Sequence, residues 1–256
     1  MIVESPQHGV LMLQPRCNMT CSFCVTEDSM GTMTFEVAQG LLRDLKRRNF
    51  ASAIFGGGEP FFWPYDLKKI LQYASELGLR TQVGTNAIKF PADFDQWDFV
   101  DRWVIPVDGV TSEVHNKLRS FQNRHLQIVT KTLSQLKDAG RSVTISTVIT
   151  KNNQQEVMKI GEYLRTLQEG EKKIIHAWHL YKFLPFGRGG KLHQAELEIS
   201  DELYEQIVRE VRQQKLPFQV FKRKDMLLSK TVEFYWIEQG KLMLQSKSKG
   251  IQPAAI

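Results

Sequence analysis

Residues 52–60, SAIFGGGEP, join a short apolar run to a turn of three glycines, and this stretch decides the fold class. Residues 52–55 have the length and composition of a buried strand, whereas residues 65–77 have the apolar spacing of a helix. Glycines between them let the backbone turn tightly and approach a ligand closely. The stretch is therefore one strand–turn–helix unit of an α/β protein.

The same unit recurs along the chain. Strands are predicted over residues 10–14, 52–55, 80–84, 102–107, 143–149, 174–183 and 218–222, and helices over residues 34–48, 65–77, 122–139, 154–167 and 200–214. Six strand–helix alternations predict parallel strands with right-handed crossovers. Because a full barrel needs eight units, we expect an open six-unit (β/α)6 partial barrel, with its active site at the carboxyl ends of the strands.

The alternation weakens after Lys191. Residues 233–237 and 241–245, separated by Glu238-Gln239-Gly240, have the pattern of a terminal hairpin. We therefore expect a core barrel over residues 1–190 and a short C-terminal extension over residues 191–256, packed on the core.

The composition is that of an ordinary globular protein, with 42% hydrophobic and 24% charged residues among 256. No apolar run reaches the roughly 18 residues that a membrane span needs, and the first residues lack the pattern of a signal peptide. We expect a cytoplasmic protein with no membrane partner. The net charge of +6 favours anionic partners only weakly, so nucleic acid is an unlikely partner.

The cysteines are the most informative residues. There are three, Cys17, Cys21 and Cys24, in a C-x3-C-x2-C run, which predicts a metal site in a reducing compartment rather than a disulfide framework. A four-iron cluster normally takes four cysteines, so three would leave one iron open to a ligand from outside the protein. The alternative is a zinc ion held with His8 or His115 in a basic, non-enzymatic nucleic-acid-binding module.

The cysteine run followed by the Gly-Gly-Glu-Pro turn resembles the radical S-adenosylmethionine (SAM) enzyme superfamily, over roughly residues 10–190. The resemblance implies a [4Fe-4S] cluster on Cys17, Cys21 and Cys24, with SAM on the open iron. It also implies reductive cleavage of SAM to methionine and a 5′-deoxyadenosyl radical, which takes hydrogen from a substrate. An electron donor such as flavodoxin or ferredoxin would supply the electron.

The resemblance also implies contacts to SAM. Gly57, Gly58 and Glu59 would receive the methionine amino group, and Phe23 would pack near the adenine. The stretch from Asp108 to residue 119 looks like the LDG…EVH…R segment of radical SAM peptide maturases, in which the arginine contacts the SAM carboxylate. This role passes to Arg119, although Pro106 stands where the family usually has a serine.

Two polar residues are candidates for the SAM ribose. Asn86, in a Thr-Asn-Ala turn similar to the family's Thr-Asn-Gly, could reach the ribose or form a simple Asx turn. Ser146 shares one face of its strand with Thr144, which suits either a ligand-holding barrel interior or an edge strand that faces solvent.

The last core strand carries the substrate candidates His179, Tyr181 and Lys182. Residues 187–191, GRGGK, could cradle an anion or form a flexible loop. No catalytic residue can be assigned, and the substrate could be a small molecule, a nucleotide or a peptide. Residues 178–185 and the terminal hairpin resemble viperin-like enzymes that modify nucleoside triphosphates, whereas peptide modification is the other specific alternative.

Overall fold

The strands of the protein are seen in a computed structural model that describes residues 7–226, 229–247 and 249–254. In chain order they are β1 (His8–Met12), β2 (Thr20–Cys21), β3 (Met30–Gly31), β4 (Ser52–Gly56), β5 (Arg80–Gly84), β6 (Arg102–Pro106), β7 (Arg119–Ser120), β8 (Val143–Ile149), β9 (Ile175–Lys182), β10 (Gln219–Arg223), β11 (Val232–Glu238), β12 (Lys241–Ser246) and β13 (Gly250–Pro253).

Along the chain, most of the helices come between two parallel strands. They are α1 (Phe35–Arg47), α2 (Leu67–Glu76), α3 (Ser112–Leu118), α4 (His125–Asp138), α5 (Val157–Leu167), α6 (Gly187–Gly190), α7 (Gln194–Leu197) and α8 (Asp201–Gln213). Single 3-10 turns cover Pro60–Phe62, Phe94–Gln96 and Gln154–Glu156. Within the described ranges, no helix is both long and apolar enough to cross a membrane.

The six core strands run in chain order through one open sheet. Strands β1, β4, β5, β6, β8 and β9 are neighbours, and each pairs in parallel with the next. The sheet does not close, because β10 and β13 end its two sides. The predicted six-unit partial barrel is confirmed.

The two faces of this sheet have different environments. On β8, Val143 and Ile145 pack in the main hydrophobic core with Leu133 of α4 and Ile160 of α5. Because side chains alternate along a strand, Ser146 points to the opposite face. We call this second face, away from the helices, the lumen.

The C-terminal part of the chain extends the sheet on both sides. Strand β10 pairs in parallel with β9, and β11 pairs in parallel with β1 on the other side. Strands β11 and β12 form the predicted hairpin, to which β13 adds a further antiparallel strand. The division between a core and an extension at residue 190 stays a prediction.

Local chemistry sets the helix ends. The side chains of Thr34, Asp66 and Ser200 each accept a hydrogen bond from a backbone N–H in the first turn of α1, α2 and α8, which satisfies one of the N–H groups left free at a helix start. Helix α4 begins at residue 125 rather than 122, because Gln122 and Asn123 have φ values of 48° and 52°, which no α-helix admits.

Candidate active site

The three cysteines lie on the loop that follows β1, at the carboxyl ends of the strands. All three are free and half-buried. Strand β2 fixes the middle of the loop, because Cys21 pairs with Arg119 of β7 in an antiparallel ladder. The loop therefore holds the thiols beside the segment that follows the fourth core strand.

The glycine turn after β4 packs directly on this cysteine loop. The N–H of Gly58 donates to Gln14 O at 2.6 Å, and that of Glu59 donates to Arg16 O at 2.9 Å. Gly57 has a φ of 118°, and a Cβ there would lie 2.6 Å from Gln14 O. A side chain at position 57 or 58 would therefore push the cysteine loop away.

Nitrogen donors approach two of the sulfur atoms. Asn86 Nδ2 lies 3.4 Å from Cys17 Sγ, and Arg119 Nη1 lies 3.7 Å from Cys21 Sγ. Burial raises the pKa of Cys21 to about 12 and also raises that of Cys17, so both thiols are protonated until a metal displaces the proton. Sulfur ligands that accept N–H hydrogen bonds are the usual environment of iron–sulfur clusters, and the site fits one.

Glu59 is buried and joins two of the strand-end turns. Its carboxylate accepts hydrogen bonds from Thr85 Oγ1 and Asn86 N, both at 2.8 Å, and from Phe61 N at 3.3 Å. Burial nevertheless raises the pKa of Glu59 to about 7. The carboxylate thus fixes the turn after β5 to the turn after β4, and its contact to the SAM amino group stays a prediction.

The turn after β5 forms the Asx turn that the sequence left open. Asn86 Oδ1 accepts from Ile88 N at 3.0 Å, and Nδ2 also donates to Asn18 Oδ1 at 2.8 Å. The amide therefore already has partners, two of which lie on the cysteine loop. Ala87, which replaces the family glycine, has a φ of 64°, where glycine is the unstrained residue.

Asp108 and Arg119 form a buried ion pair beside the cysteines. Arg119 Nε donates to one carboxylate oxygen of Asp108, and the other oxygen accepts from Val148 N at 2.7 Å. The guanidinium stacks 4.9 Å from the ring of Phe23. Phe23 is buried with Leu118 and neighbouring apolar side chains, so Phe23 and Arg119 do lie together.

Two buried histidines, which the sequence did not suggest as a pair, connect these segments. Asp108 N donates to His115 Nδ1 at 3.2 Å, so His115 carries its proton on Nε2. His115 Nε2 then donates to His125 Nδ1 at 2.8 Å, and His125 Nε2 donates to Asn86 O at 2.8 Å. One directed chain of hydrogen bonds thus runs from the end of β6 to the end of β5.

The substrate candidates divide between the two faces of β9. His179 pairs with Ser146 across the sheet, and His179 Nδ1 lies 3.3 Å from Tyr181 Oη, so these three face the lumen. Lys182 lies on the other face, where Nζ contacts Asp201 of α8 at 2.6 Å. Its role in substrate binding stays a prediction, and the alternation along the strand already places Lys182 on this face.

Ser146 does not lie on an edge strand. Strand β8 pairs with β6 on one side and with β9 on the other. The solvent-facing alternative for Ser146 is therefore excluded, and its contact to the SAM ribose stays a prediction.

The glycine-rich segment after β9 is an ordered clamp on the cysteine loop. The N–H groups of Gly189 and Gly190 donate to Cys24 O at 3.1 Å and 3.3 Å, and that of Arg188 donates to Thr26 O at 3.0 Å. A Cβ on Gly189 would clash with Cys21 O. The glycines are required for this close packing, and the flexible-loop alternative does not hold.

The zinc alternative finds no support in the geometry. His115 uses both ring nitrogens for hydrogen bonds, and His8 lies at the start of β1, where it contacts Ser52 Oγ at 2.8 Å.

Comparisons with known proteins agree with this geometry. A family model described as the Radical SAM superfamily matches residues 11–164. A search of curated proteins finds no match.

Solved structures share the fold. SuiB of Streptococcus suis bound to S-adenosylmethionine superposes with a TM-score of 0.72 at 15% identity, covering 93% of this chain and 59% of that chain. SuiB bound to its precursor peptide SuiA superposes with a TM-score of 0.70 at 16% identity, covering 86% of this chain and 49% of that chain. HydG, a maturase of the [FeFe]-hydrogenase, superposes with a TM-score of 0.68 at 13% identity, covering 83% of this chain and 50% of that chain. The chain thus spans about half the length of these proteins.

Proposed function

Since this chain belongs to the Radical SAM superfamily, and is thus an enzyme that uses a [4Fe-4S] cluster and S-adenosylmethionine, we propose that Cys17, Cys21 and Cys24 hold the cluster. When bound, the reduced cluster supplies the electron that cleaves SAM to methionine and a 5′-deoxyadenosyl radical, which abstracts hydrogen from the substrate. The chain's own residues position these partners and keep other reactions out.

The observation that supports this most is the convergence of three strand-end segments on the cysteine loop. The glycine turn after β4, the Asp108–Arg119 pair and the clamp at Gly189 each contact it through hydrogen bonds. Such fixed backbone contacts hold a metal site in one geometry when the metal arrives.

The amino-acid part of SAM is assigned to groups around this loop. We assign the amino group to Gly57, Gly58 and Glu59, which form the turn that packs on the cysteine loop. Arg119 retains free N–H groups on its guanidinium after Asp108 has taken Nε, and a guanidinium suits a carboxylate bidentately. We assign the SAM carboxylate to it.

The nucleoside part of SAM is assigned to the neighbouring residues. Phe23, whose ring lies under the Arg119 guanidinium, is assigned to the adenine. Ser146 and Asn86 are assigned to the ribose. Ser146 faces the lumen, whereas Asn86 would exchange one of its present hydrogen bonds for one to the ribose.

His179 and Tyr181 face the lumen and are assigned to the substrate. Viperin-like modification of a nucleoside triphosphate and modification of a peptide are the two specific reactions to be compared, and a small molecule is the third. Flavodoxin or ferredoxin is the proposed electron donor.

The decisive experiment is anaerobic purification followed by iron and sulfide analysis and an assay for 5′-deoxyadenosine from SAM and dithionite. Cys21→Ala should lose the cluster and the activity, since two thiolates cannot retain a four-iron cluster. Ser22→Ala is the matched control, because its hydroxyl makes only a long contact of 3.4 Å to Leu118 O. Wild-type protein without sulfide, or full SAM cleavage by Cys21→Ala, would refute the proposal.

The substrate class is tested with the same assay. Nucleoside triphosphates, short peptides and small metabolites are added separately, and the substrate is the class that increases 5′-deoxyadenosine release. Replacing dithionite with reduced flavodoxin or ferredoxin tests the electron donor.

A further inference from the structure

Basic side chains line part of the lumen, and the acidic Glu238 stands at a lumen position at the end of β11, where it contacts Ser29 and Trp236. Histidine or arginine occupies positions 8, 80, 102, 179 and 223, and His176 lies at a bulge of β9. In the described part of the chain, no Asp or Glu stands at a lumen position of β1, β4, β5, β6, β8, β9 or β10. Burial lowers the pKa of the three histidines, so the arginines carry the positive charge at neutral pH. Arg80 is exposed, whereas Arg102 and Arg223 are partly buried.

Two basic residues that lie outside the lumen have acidic partners. Arg48 pairs with Glu233 at 2.6 Å, and Lys222 pairs with Glu205 at 2.9 Å. By contrast, the Nε atoms of Arg102 and Arg223 are buried and have no hydrogen-bond partner among residues 7–226, 229–247 and 249–254. An unpaired buried N–H of a cation is costly, so these two arginines have unused capacity to bind an acceptor.

Electrostatic coupling shows that these arginines act on the same region. Burial, together with Arg223 and Arg102, lowers the pKa of His179 to about 3, and both arginines also lower the pKa of His8. Asp101, the acidic residue next to Arg102, is engaged elsewhere, since it accepts from Thr81 N at 2.7 Å. Asp101 still attracts Arg102, but less strongly than Arg80 repels it, so the positive potential of the lumen is only partly neutralised.

The side chains of His179 and Arg223 are held in place by a shared aromatic contact. The His179 ring meets the ring of Phe221 edge to face at 5.2 Å, and the Arg223 guanidinium stacks 5.0 Å from the same Phe221 ring. Phe221 thus fixes both His179 and Arg223. Held in this way, the two polar groups lose little side-chain entropy when an anion binds.

We infer that the substrate carries a phosphate or carboxylate group and that Arg102 and Arg223 bind this group in the lumen, with His179 beside it. This inference rests on the proposed function, which places the substrate in the lumen. The proposed anion site is separate from the SAM site, where Asp108 and Arg119 neutralise each other.

The test uses the cluster-loaded protein with SAM present and measures binding by calorimetry. The probes are pyrophosphate, glutarate and, as the uncharged control, glutaramide. We expect pyrophosphate or glutarate to bind with a Kd of about 1 mM or tighter, and glutaramide not to bind. Preference for pyrophosphate identifies a phosphate-bearing substrate, and preference for glutarate identifies a carboxylate.

Variants locate the binding. Arg102→Gln and Arg223→Gln should each weaken binding about tenfold or more, the loss of a charge-assisted hydrogen bond. Arg43→Gln removes the same charge from the exposed face of α1, where Arg43 contacts Tyr73 Oη, and should leave the Kd unchanged. An equal loss in Arg43→Gln, or no binding of either anion, would overturn the inference.

A second measurement needs no variant. Phenylglyoxal modification of the wild type, followed by peptide mass spectrometry, should show that the bound anion protects Arg102 and Arg223 but not Arg43. Equal modification with and without the anion would contradict the site. If the protein loads iron and cleaves SAM but binds no anion, this inference is wrong and the proposed function stands. If the protein cannot load iron, the proposed function is wrong.

Discussion

The rings of His115 and His125 stack with 5.0 Å between their centroids and 20° between their planes, and a hydrogen bond of 2.8 Å joins them. Burial lowers the pKa of each imidazole to about 3. Both rings are therefore neutral at neutral pH. The pair links Asp108 to Asn86 through hydrogen bonds and contributes no charge. This makes the two histidines positioning residues for the strand ends around the cysteines.

Replacing His115 should damage both stability and SAM binding. His115→Leu leaves the N–H of Asp108 and Nδ1 of His125 buried without partners, so we expect the free energy of unfolding to fall by about 2–4 kcal/mol. The KM for SAM should rise more than kcat falls. Urea denaturation and the 5′-deoxyadenosine assay measure these effects. His193→Leu, at a half-exposed histidine of another segment, should leave both near wild type.

The same histidine should contribute to acid sensitivity. Its folded pKa is about 3 and its ordinary value 6.5, so the unfolded chain takes up a proton that the native protein excludes. Its contribution to stability is therefore present above pH 6.5 and is lost as the pH falls towards 3.

The measurement is the slope of unfolding free energy against pH. Over pH 6 to 4, His115→Leu should reduce this slope by about 1.4 kcal/mol per pH unit. Glu59 acts in the opposite direction between pH 4.5 and about 7, because its folded pKa is raised. Identical slopes in the variant and the wild type would show that His115 titrates normally in the native protein.

The ion pair of Asp108 and Arg119 should control SAM affinity. Asp108→Asn keeps an acceptor for Val148 N but removes the charge that orients Arg119, and Arg119→Lys removes the planar fork. We expect either change to raise the KM for SAM about tenfold or more. Arg124→Lys, on the exposed arginine that stacks over Phe121, is the matched control. An unchanged KM in both variants would exclude Arg119 from SAM binding.

The glycine clamp should be needed for cluster loading. Gly189→Ala places a Cβ against Cys21 O and 2.7 Å from Cys24 N, and neither backbone atom can move without the cysteine loop. We expect iron content to fall well below that of the wild type. Gly56→Ala adds the same methyl group where no atom lies within 4 Å and should load normally. Full iron content in Gly189→Ala would show that the loop tolerates displacement.

Lys182 should be dispensable for chemistry. It pairs with Asp201, which is half exposed, and such pairs contribute about 0–1 kcal/mol. Lys182→Met should therefore change stability by no more than this and leave SAM cleavage at the wild-type rate. A large loss of activity would mean that the side chain turns into the lumen during the reaction.

Much of the fold could be predicted because its signals are local. Strands Arg80–Gly84 and Val143–Ile149 match the predicted ranges residue for residue, since β-branched runs bounded by glycines or polar residues specify a strand on their own. The short helix α3 was not predicted, because its seven residues, five of them polar, carry too weak an apolar periodicity. The start of α4 was placed too early for a similar reason, since positive φ values leave little trace in sequence.

The residues of the site could be predicted only where they belong to a single sequence motif. The cysteines and the glycine turn are contiguous signals, so their proximity followed from parallel-strand topology. The pairing of His115 with His125 and the packing of Gly189 on Cys24 depend on contacts between distant segments, which no local pattern encodes. The basic lumen needs both strand alternation and sheet order, because its arginines come from different strands.

The clamp of Gly189 and Gly190 on Cys24 has a consequence for biosynthesis. While the ribosome is still making β8, the cysteine loop has emerged but lacks the backbone donors that will hold it. Metal delivered at that moment would meet a loop without its final shape. Maturation of the nascent protein is thus ordered by its own topology: the last core strand must leave the exit tunnel before the first loop can be finished.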